Sequence, residues 1–354
     1  MKGNQPARVL HVAKSLGLGG TEKTMQLMAS RLDRSRFEPF VYSPVDGERR
    51  ALIKAGGVPV IVGGDLFSLL ERLRPDIVHV HRAGWPEPEL LGPVKRHRPR
   101  AVVETNVFGR FDGSPTGEAV DVHLFVSRFC LERYLRDNAG RADPARCRVL
   151  YNPIDTDLFG SLAPGDRDFS QPVAGRLSRD DPGKWSRLAF DTLPLLKRAR
   201  PDFRFLVIGA TPEFRDFART RGLADNVEFL PPALRDEELA AFFGRLSHLA
   251  HANDTGESFG MAIAEAMASG LPVVTHPAAG PRDNAQLELV EHGVTGLVAA
   301  TAEDYASAQL WLWRNPGEAR RMGLAGREKA QLLYRAQSIA RKLGDIYTEF
   351  LDRT

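Results

Sequence analysis

Short apolar runs alternate with amphipathic stretches along nearly the whole chain. Residues 8–13 (RVLHVA), 37–42, 58–62, 76–80 (DIVHV), 101–104 and 123–126 are brief and apolar on both faces, the pattern of strands in a covered parallel sheet. Residues 21–32 (TEKTMQLMASRL) and 66–73 carry the helical period, and Ser127 stands where an N-cap begins a helix through residue 135. The texture changes at residues 151–170. There Pro, Gly and Asp dominate with little apolar period, as in a linker. The alternation then restarts. Strands are expected at 173–177, 203–208, 227–230, 246–251, 272–275 and 296–298, with helices at 185–197, 236–243 and 259–269. From residue 301 the chain reads as helix: 302–313, 318–334 and 336–351. The pattern predicts an α/β protein with two Rossmann-like, doubly wound parallel sheets. Residues 1–152 form the first domain, 153–170 the linker and 171–334 the second domain. Residues 335–354 are a C-terminal helix packing back toward the first. Two such domains would leave a cleft between them, with ligands at the carboxyl ends of the strands.

Composition narrows this little. The 354 residues are 43% hydrophobic and 26% charged, ordinary for a globular protein. The net charge of +3 is uneven: residues 1–165 hold 24 Lys and Arg against 19 Asp and Glu, the remainder 24 against 26. Lys95, Arg96, His97, Arg98 and Arg100 supply much of the excess. They read as a solvated helix end or as a contact for an anionic acceptor or a membrane surface. No aromatic interleaving accompanies them, so nucleic acid is not an expected partner. Cys130 and Cys147 form neither a disulfide framework nor a metal spacing. The N-terminus lacks the apolar core of a signal peptide, and no apolar run nears the roughly 20 residues that span a bilayer. A cytoplasmic protein is expected, with peripheral contact at the inner membrane face as an open alternative.

Candidate chemistry concentrates in residues 255–272 (TGESFGMAIAEAMASGLP). A loop bearing Glu257 enters a helix that is small and apolar except for Glu265. A buried carboxylate is costly unless paired, so such a residue points to a site. The helix start would offer free N–H groups at Phe259 and Gly260, and Ser258 precedes them. Arg176 and Lys184 follow an expected strand. Two cations there suit a diphosphate leaving group. Were all eight steps helical, Glu257 and Glu265 would lie about 12 Å apart. That suits the two ends of an extended ligand better than an acid/base pair. The loop Ser15–Gly20, between a strand and a helix, is a further phosphate candidate, although it lacks a full G-x-G-x-x-G.

The two glutamates with seven residues between them, taken with Arg176 and Lys184, resemble a family 4 retaining glycosyltransferase of the GT-B fold. Gly19-Gly20-Thr21-Glu22 resembles that family's N-terminal glycine loop. Asn152-Pro153-Ile154-Asp155 with Phe159 resembles its interdomain segment, and Gly293-Val294-Thr295-Gly296-Leu297-Val298 its late turn. The resemblance implies transfer of a sugar from a nucleotide diphosphate-sugar, a UDP- or GDP-sugar, to an acceptor hydroxyl. It implies no metal and no other cofactor, and a same-face displacement in which the leaving phosphate helps deprotonate the acceptor. Arg176 and Lys184 would hold the diphosphate, and Glu257, with the Phe259 and Gly260 amides nearby, the donor sugar. Glu265 would hold the ribose, Gly19 and Gly20 would approach the diphosphate, and Gly209 would flank the base. The acceptor, a sugar, a lipid-linked sugar or a small molecule, would meet loops of the first domain. His81, Asn106 and Arg110 are the candidates there.

Two features depart from the family pattern. Five residues, Arg179 to Gly183, separate Ser178 from Lys184, which makes Arg179 an alternative second cation. Asn106 stands where the family often has a histidine. Three other readings compete: a nucleotide-sugar 2-epimerase of the same fold, a non-catalytic nucleotide-sugar binder, and a dinucleotide-dependent oxidoreductase suggested by the first glycine loop.

Overall fold

The computed structural model describes residues 5–352, so the first four and last two residues of the expected domain ranges lie outside the described chain. The chain divides into two compact units, one of residues 1–153 with 336–354 and one of residues 154–335. Each is built on a parallel sheet.

The first sheet has seven strands, ordered β3-β2-β1-β4-β5-β6-β7. They are β1 (Ala7–Ala13), β2 (Phe37–Ser43), β3 (Val60–Val62), β4 (Ile77–Arg82), β5 (Ala101–Asn106), β6 (Val122–Phe125) and β7 (Cys147–Val149). Helices α1 (Gly20–Arg31), α2 (Arg49–Ala55), α3 (Leu66–Leu73), α4 (Pro88–His97) and α5 (Arg128–Asp137) connect them. The apolar runs become central strands because both faces of the sheet are covered, as in Val9, Leu10, Ile77, Val78, Ala101 and Val103, all fully buried. Ser127 caps α5 by accepting the Cys130 N–H at 3.1 Å. The last helix, α14 (Ala336–Leu351), belongs to this unit and not to the one it follows in sequence. Its Ile339, Leu343 and Tyr347 pack with Val9, Met28 and Phe37.

The second sheet has six strands, ordered β10-β9-β8-β11-β12-β13. They are β8 (Val173–Leu177), β9 (Arg204–Ile208), β10 (Val227–Leu230), β11 (His248–Ala250), β12 (Val273–Thr275) and β13 (Gly296–Val298). Helices α6 (Thr156–Leu162), α7 (Arg187–Ala199), α8 (Pro212–Thr220), α9 (Asp236–Gly244), α10 (Met261–Ala268), α11 (Gln286–Leu289), α12 (Ala302–Arg314) and α13 (Pro316–Tyr334) complete it. In both sheets the strand order reverses beside the first strand of the unit, between β1 and β4 and between β8 and β11. At such a point the connections leave in opposite directions and open a crevice at the strand ends.

The sequence expectation did not include α2, α4, α11 or β7, and three further elements differ from it in ways that bear on the second unit. The stretch 153–170 is not bare linker. Asp155 accepts the Leu158 N–H at 3.2 Å and starts α6, whose Phe159 is fully buried against Phe243. One buried aromatic in a capped turn holds a helix that composition hides. Helix α8 was also hidden, by its opening Pro212, yet Pro is well suited to the first turn and Thr211 caps it at 3.2 Å. Helix α10 begins at Met261 rather than Phe259, because Gly260 adopts φ 106° and ends the preceding turn.

Candidate active site

The site of the second unit forms where the β8/β11 switch point lies. Gly175 and Arg176 lie in the second half of β8, and Leu249 pairs with Gly175 in register. His251 and Asn253 follow β11 directly. The loop after β8 is drawn onto the loop after β11 by backbone bonds. Ser186 N–H donates to Ala252 O at 3.1 Å, and Thr255 N–H to Gly183 O at 3.2 Å. A short 3-10 turn, Pro182–Lys184, is capped by Asp181, which accepts the Gly183 N–H at 2.9 Å. The inserted residues therefore fold into a turn that returns Lys184 to the site. Arg179 points elsewhere: it is two-thirds exposed and pairs loosely with Asp181 at 4.0 Å.

Two glycines permit the approach. Gly209 has φ 79°, and a Cβ on it would lie 1.9 Å from the Ser178 carbonyl. Its own carbonyl accepts the Trp185 indole N–H at 3.2 Å. Gly256, at φ 65°, leaves room for the Asp283 carbonyl, which a Cβ would meet at 1.6 Å.

Arg176 is 1% exposed. Its Nη2 donates to Asn253 Oδ1 at 2.9 Å and to the Lys184 carbonyl, and its guanidinium lies 4.3 Å from the Trp185 ring centre. Nε and Nη1 have no hydrogen-bond partner. Burial lowers its pKa to about 10, so it keeps its charge at neutral pH. Lys184 Nζ stands 3.3 Å from both carboxylate oxygens of Glu257. The same carboxylate meets His251 Nε2 at 3.2 Å and the Asn253 amide. Burial alone would raise the Glu257 pKa, but the His251 hydrogen bond and the Lys184 charge outweigh it and hold the group down at about 2. Burial lowers the pKa of His251, which is neutral and donates from Nε2 while Nδ1 accepts from the Thr275 hydroxyl at 3.2 Å. Gln286 steadies the loop by accepting the Glu257 N–H at 3.0 Å.

The structure thus joins Arg176, Lys184 and Glu257 in one hydrogen-bonded group, with Gly209 beside it through Trp185. Ser258 and Phe259 are buried. The Phe259 ring meets Tyr334 edge-on at 5.2 Å, a core contact. The open N–H groups at the helix start belong to Met261 and the residues after it, since Gly260 is the N-cap. Glu265 is 3% exposed within α10. Four non-helical residues precede α10, so the length of a continuous helix does not measure the separation of Glu257 from Glu265.

The first unit revises its candidates more strongly. Asn106 uses its side chain on its own turn: Oδ1 accepts the Arg110 N–H at 3.1 Å and Nδ2 donates to the Arg110 carbonyl at 2.8 Å. It holds a loop, and its Nδ2 also faces Glu104 at 3.4 Å. His81 is 2% exposed, and its Nε2 lies 3.0 Å from His11 Nδ1. Parallel register sets His11 beside His79, and two residues on, His81 shares that face. The expectation of no metal-type cluster is amended accordingly, because ligand atoms of His11, His79 and His81 lie within 4.8 Å of one another. The set has no carboxylate, and both His79 nitrogens are taken, by Tyr347 at 2.6 Å and Thr105 at 2.8 Å. His11 Nε2 and His81 Nδ1 are buried without a hydrogen-bond partner. Arg110 lies over the exposed Trp85, 5.2 Å from the ring centre. Gly19 caps α1 with ordinary φ −69°, and Gly20 is its first residue.

Sequence reading missed His251, Asn253, Trp185 and Gln286. The first two carried a signal: polar residues directly after a strand, at its carboxyl end. Trp185 and Gln286 carried none, since their roles depend on a carbonyl and an amide far away in the chain.

Residues 172–315 match the family of glycosyl transferases group 1. The stretch contains the whole group from Arg176 to Gln286. A D-inositol 3-phosphate glycosyltransferase of Mycobacteroides abscessus is 32% identical over 183 residues, which is 47% of this chain and 39% of that protein. A GDP-mannose-dependent alpha-(1-6)-phosphatidylinositol monomannoside mannosyltransferase of Mycolicibacterium smegmatis is 28% identical over 274 residues, 71% of this chain and 64% of that protein. The chain thus spans less than two thirds of the length of either curated relative. Among solved structures, Anabaena HepE in complex with UDP and glucose superposes with a TM-score of 0.77 at 20% identity, covering 96% of this chain and 99% of that one. A glycosyltransferase from Rickettsia africae gives 0.80 at 17% identity, with 99% and 100% covered. The fold is GT-B, with a seven-stranded and a six-stranded parallel unit. Among the described residues no helix is long and apolar enough to cross a membrane.

Proposed function

We propose that the chain is a retaining glycosyltransferase that moves a sugar from a nucleotide diphosphate-sugar to an acceptor hydroxyl without a metal. One observation carries the reading. Arg176, buried and charged, has two guanidinium nitrogens without partners beside Lys184 and Glu257, at the carboxyl ends of β8 and β11. Buried donors without partners are rare, and an anionic group arriving there would satisfy them. In the proposed mechanism Arg176 and Lys184 bind the diphosphate and stabilise it as negative charge builds on the leaving oxygen. Glu257, held ionised, accepts from donor-sugar hydroxyls, and Glu265 accepts from the ribose. The leaving phosphate takes the acceptor proton on the face from which it departs, which retains the anomeric configuration.

The group 1 match and the names of the relatives support this class over a dinucleotide-dependent oxidoreductase. The UDP bound by HepE and the GDP-mannose named for the mannosyltransferase support UDP- and GDP-sugars as first candidates. The inositol-containing names support a polyol phosphate or lipid-linked acceptor. The test is a thermal-shift screen of UDP-, GDP-, ADP- and dTDP-sugars, followed by product analysis with and without acceptor. One nucleotide series should raise the melting midpoint, by mass action. Sugar transfer should then appear only with acceptor. An epimerised donor without acceptor, or binding with no turnover on any acceptor class, would replace this reading by the epimerase or the non-catalytic binder.

A further inference from the structure

Arg176 and Glu257 stand on different segments, one on β8 and one on the loop after β11, and one buried side chain bonds to both. Asn253 is 2% exposed. Its Oδ1 accepts from Arg176 Nη2 at 2.9 Å, and its Nδ2 donates to Glu257 Oε1. The partners fix the orientation of the amide, since a guanidinium only donates and an ionised carboxylate only accepts. Lys184 also meets both groups, but it reaches Arg176 through its backbone carbonyl and Glu257 through Nζ. The Asn253 backbone is held in turn: its carbonyl accepts the Gly256 N–H at 3.2 Å and lies 3.1 Å from His276 Nε2.

These bonds divide each charged group into a held edge and an open one. Arg176 is held at Nη2, by Asn253 and the Lys184 carbonyl, while Nε and Nη1 have no hydrogen-bond partner. Glu257 is held at Oε1, which meets Asn253, His251 at 3.2 Å and Lys184 at 3.3 Å; Oε2 meets Lys184 alone, at 3.3 Å. An amide suits this task because it carries one acceptor and one donor group on a rigid plane and adds no charge. A carboxylate in its place would still accept from Arg176. It would also set an oxygen against Glu257 Oε1, where like charges repel.

We propose that Asn253 is a positioning residue for the donor group. It fixes Arg176 Nη2 and Glu257 Oε1, so that Nε and Nη1 are left for the diphosphate and Oε2 for a donor-sugar hydroxyl. The role rests on the transfer reaction proposed above and assigns the atoms that each residue presents to its donor.

The test is an exchange of the two side chains. In the double variant Asn253→Asp/Glu257→Gln the amide and the carboxylate trade places, so the charge of the site and the hydrogen bond between the two positions are kept. Asn253→Asp alone sets two carboxylates in contact. The natural chain, both single variants and the double variant are compared by melting midpoint, by calorimetric titration with UDP, GDP, ADP and dTDP, and by rate of sugar transfer. Affinity for the bare nucleotide should fall about tenfold in Asn253→Asp and return to within about threefold of the natural chain in the double variant. Transfer should fall about tenfold or more when Asn253→Asp is made in the natural chain, and less than about threefold when it is made on Glu257→Gln. A residue that only supports the fold would cost the same factor in both backgrounds. The double variant should also recover the melting midpoint, so it remains informative where the single variant does not fold. Equal losses in both backgrounds, or a double variant that recovers neither fold nor affinity, would overturn the positioning role and leave the proposed transfer reaction standing. A natural chain that binds none of the four nucleotides would overturn both.

Discussion

Arg176 and Glu257 carry the proposed chemistry at the scale of single residues, and they are held in opposite ways. Arg176 is buried with donors to spare, whereas Glu257 has each oxygen engaged by Lys184, His251 or Asn253. A carboxylate so held is ionised and fixed in place. Glu257→Gln keeps the shape and removes the charge. If Glu257 grips the sugar, the variant should lose transfer by about 10²-fold, the scale of one missing electrostatic contact in a transition state. Affinity for the bare nucleotide should change less than about threefold. Steady-state rates beside nucleotide titrations check this, and equal losses in both would contradict the assignment. Glu265→Ala should show the reverse pattern, weakening the bare nucleotide; unchanged affinity would remove the ribose contact. Arg176, Lys184 and Glu257 were singled out in the sequence by their places on loops beside an expected strand and an expected helix. Asn106 was misread because its partners are backbone groups of its own turn, which no side-chain pattern announces.

At the scale of elements, turns decide where the site opens. Gly260 sets the start of α10, and α6 ties the start of the second unit to its body. Ile154 N–H also donates to the Tyr334 carbonyl at 2.7 Å, joining the two ends of that unit. Phe159 is fully buried, so Phe159→Ala should cost about 3–5 kcal/mol, the usual range for a core phenylalanine. A melting midpoint for the second unit several degrees lower is expected by calorimetry. An unchanged midpoint would return residues 153–170 to the status of linker. Composition misled there because a seven-residue helix has too few turns to show a period, and its stability comes from one packed ring.

At the scale of the whole molecule, each unit encloses neutral imidazoles. Burial lowers the pKa of His11 in the first unit from 6.5 to about 3, and that of His248 in the second from 6.5 to about 4. Below pH 6.5 the unfolded chain takes up these protons and the folded chain does not, so stability falls as the medium is acidified. The contribution is complete above the unfolded value and is lost progressively down to the folded one. For each imidazole the loss between pH 7 and pH 5 is about 2 kcal/mol. Glu257 acts in a lower window, from about 4.5 down to about 2, because its folded pKa is depressed. Urea unfolding at pH 7, 6 and 5 should therefore show both units weakening, above the window in which Glu257 acts. A flat profile over that range would mean that the imidazoles are charged in the folded state.

The sequence by itself determined that the chain holds two units built on parallel sheets, and it singled out Arg176, Lys184, Glu257 and Glu265 as candidates for one site. These depend on local periodicity and on charges placed at strand ends, which are written in neighbouring positions. The tertiary structure alone decided which groups meet. It returned Lys184 to Glu257 across the inserted turn, set Trp185 against Arg176, and drew His11 to His79 and His81 through strand register. It also gave α14 to the first unit. Each of these depends on packing between segments distant in the chain, where burial and partner geometry, rather than local pattern, set the energy.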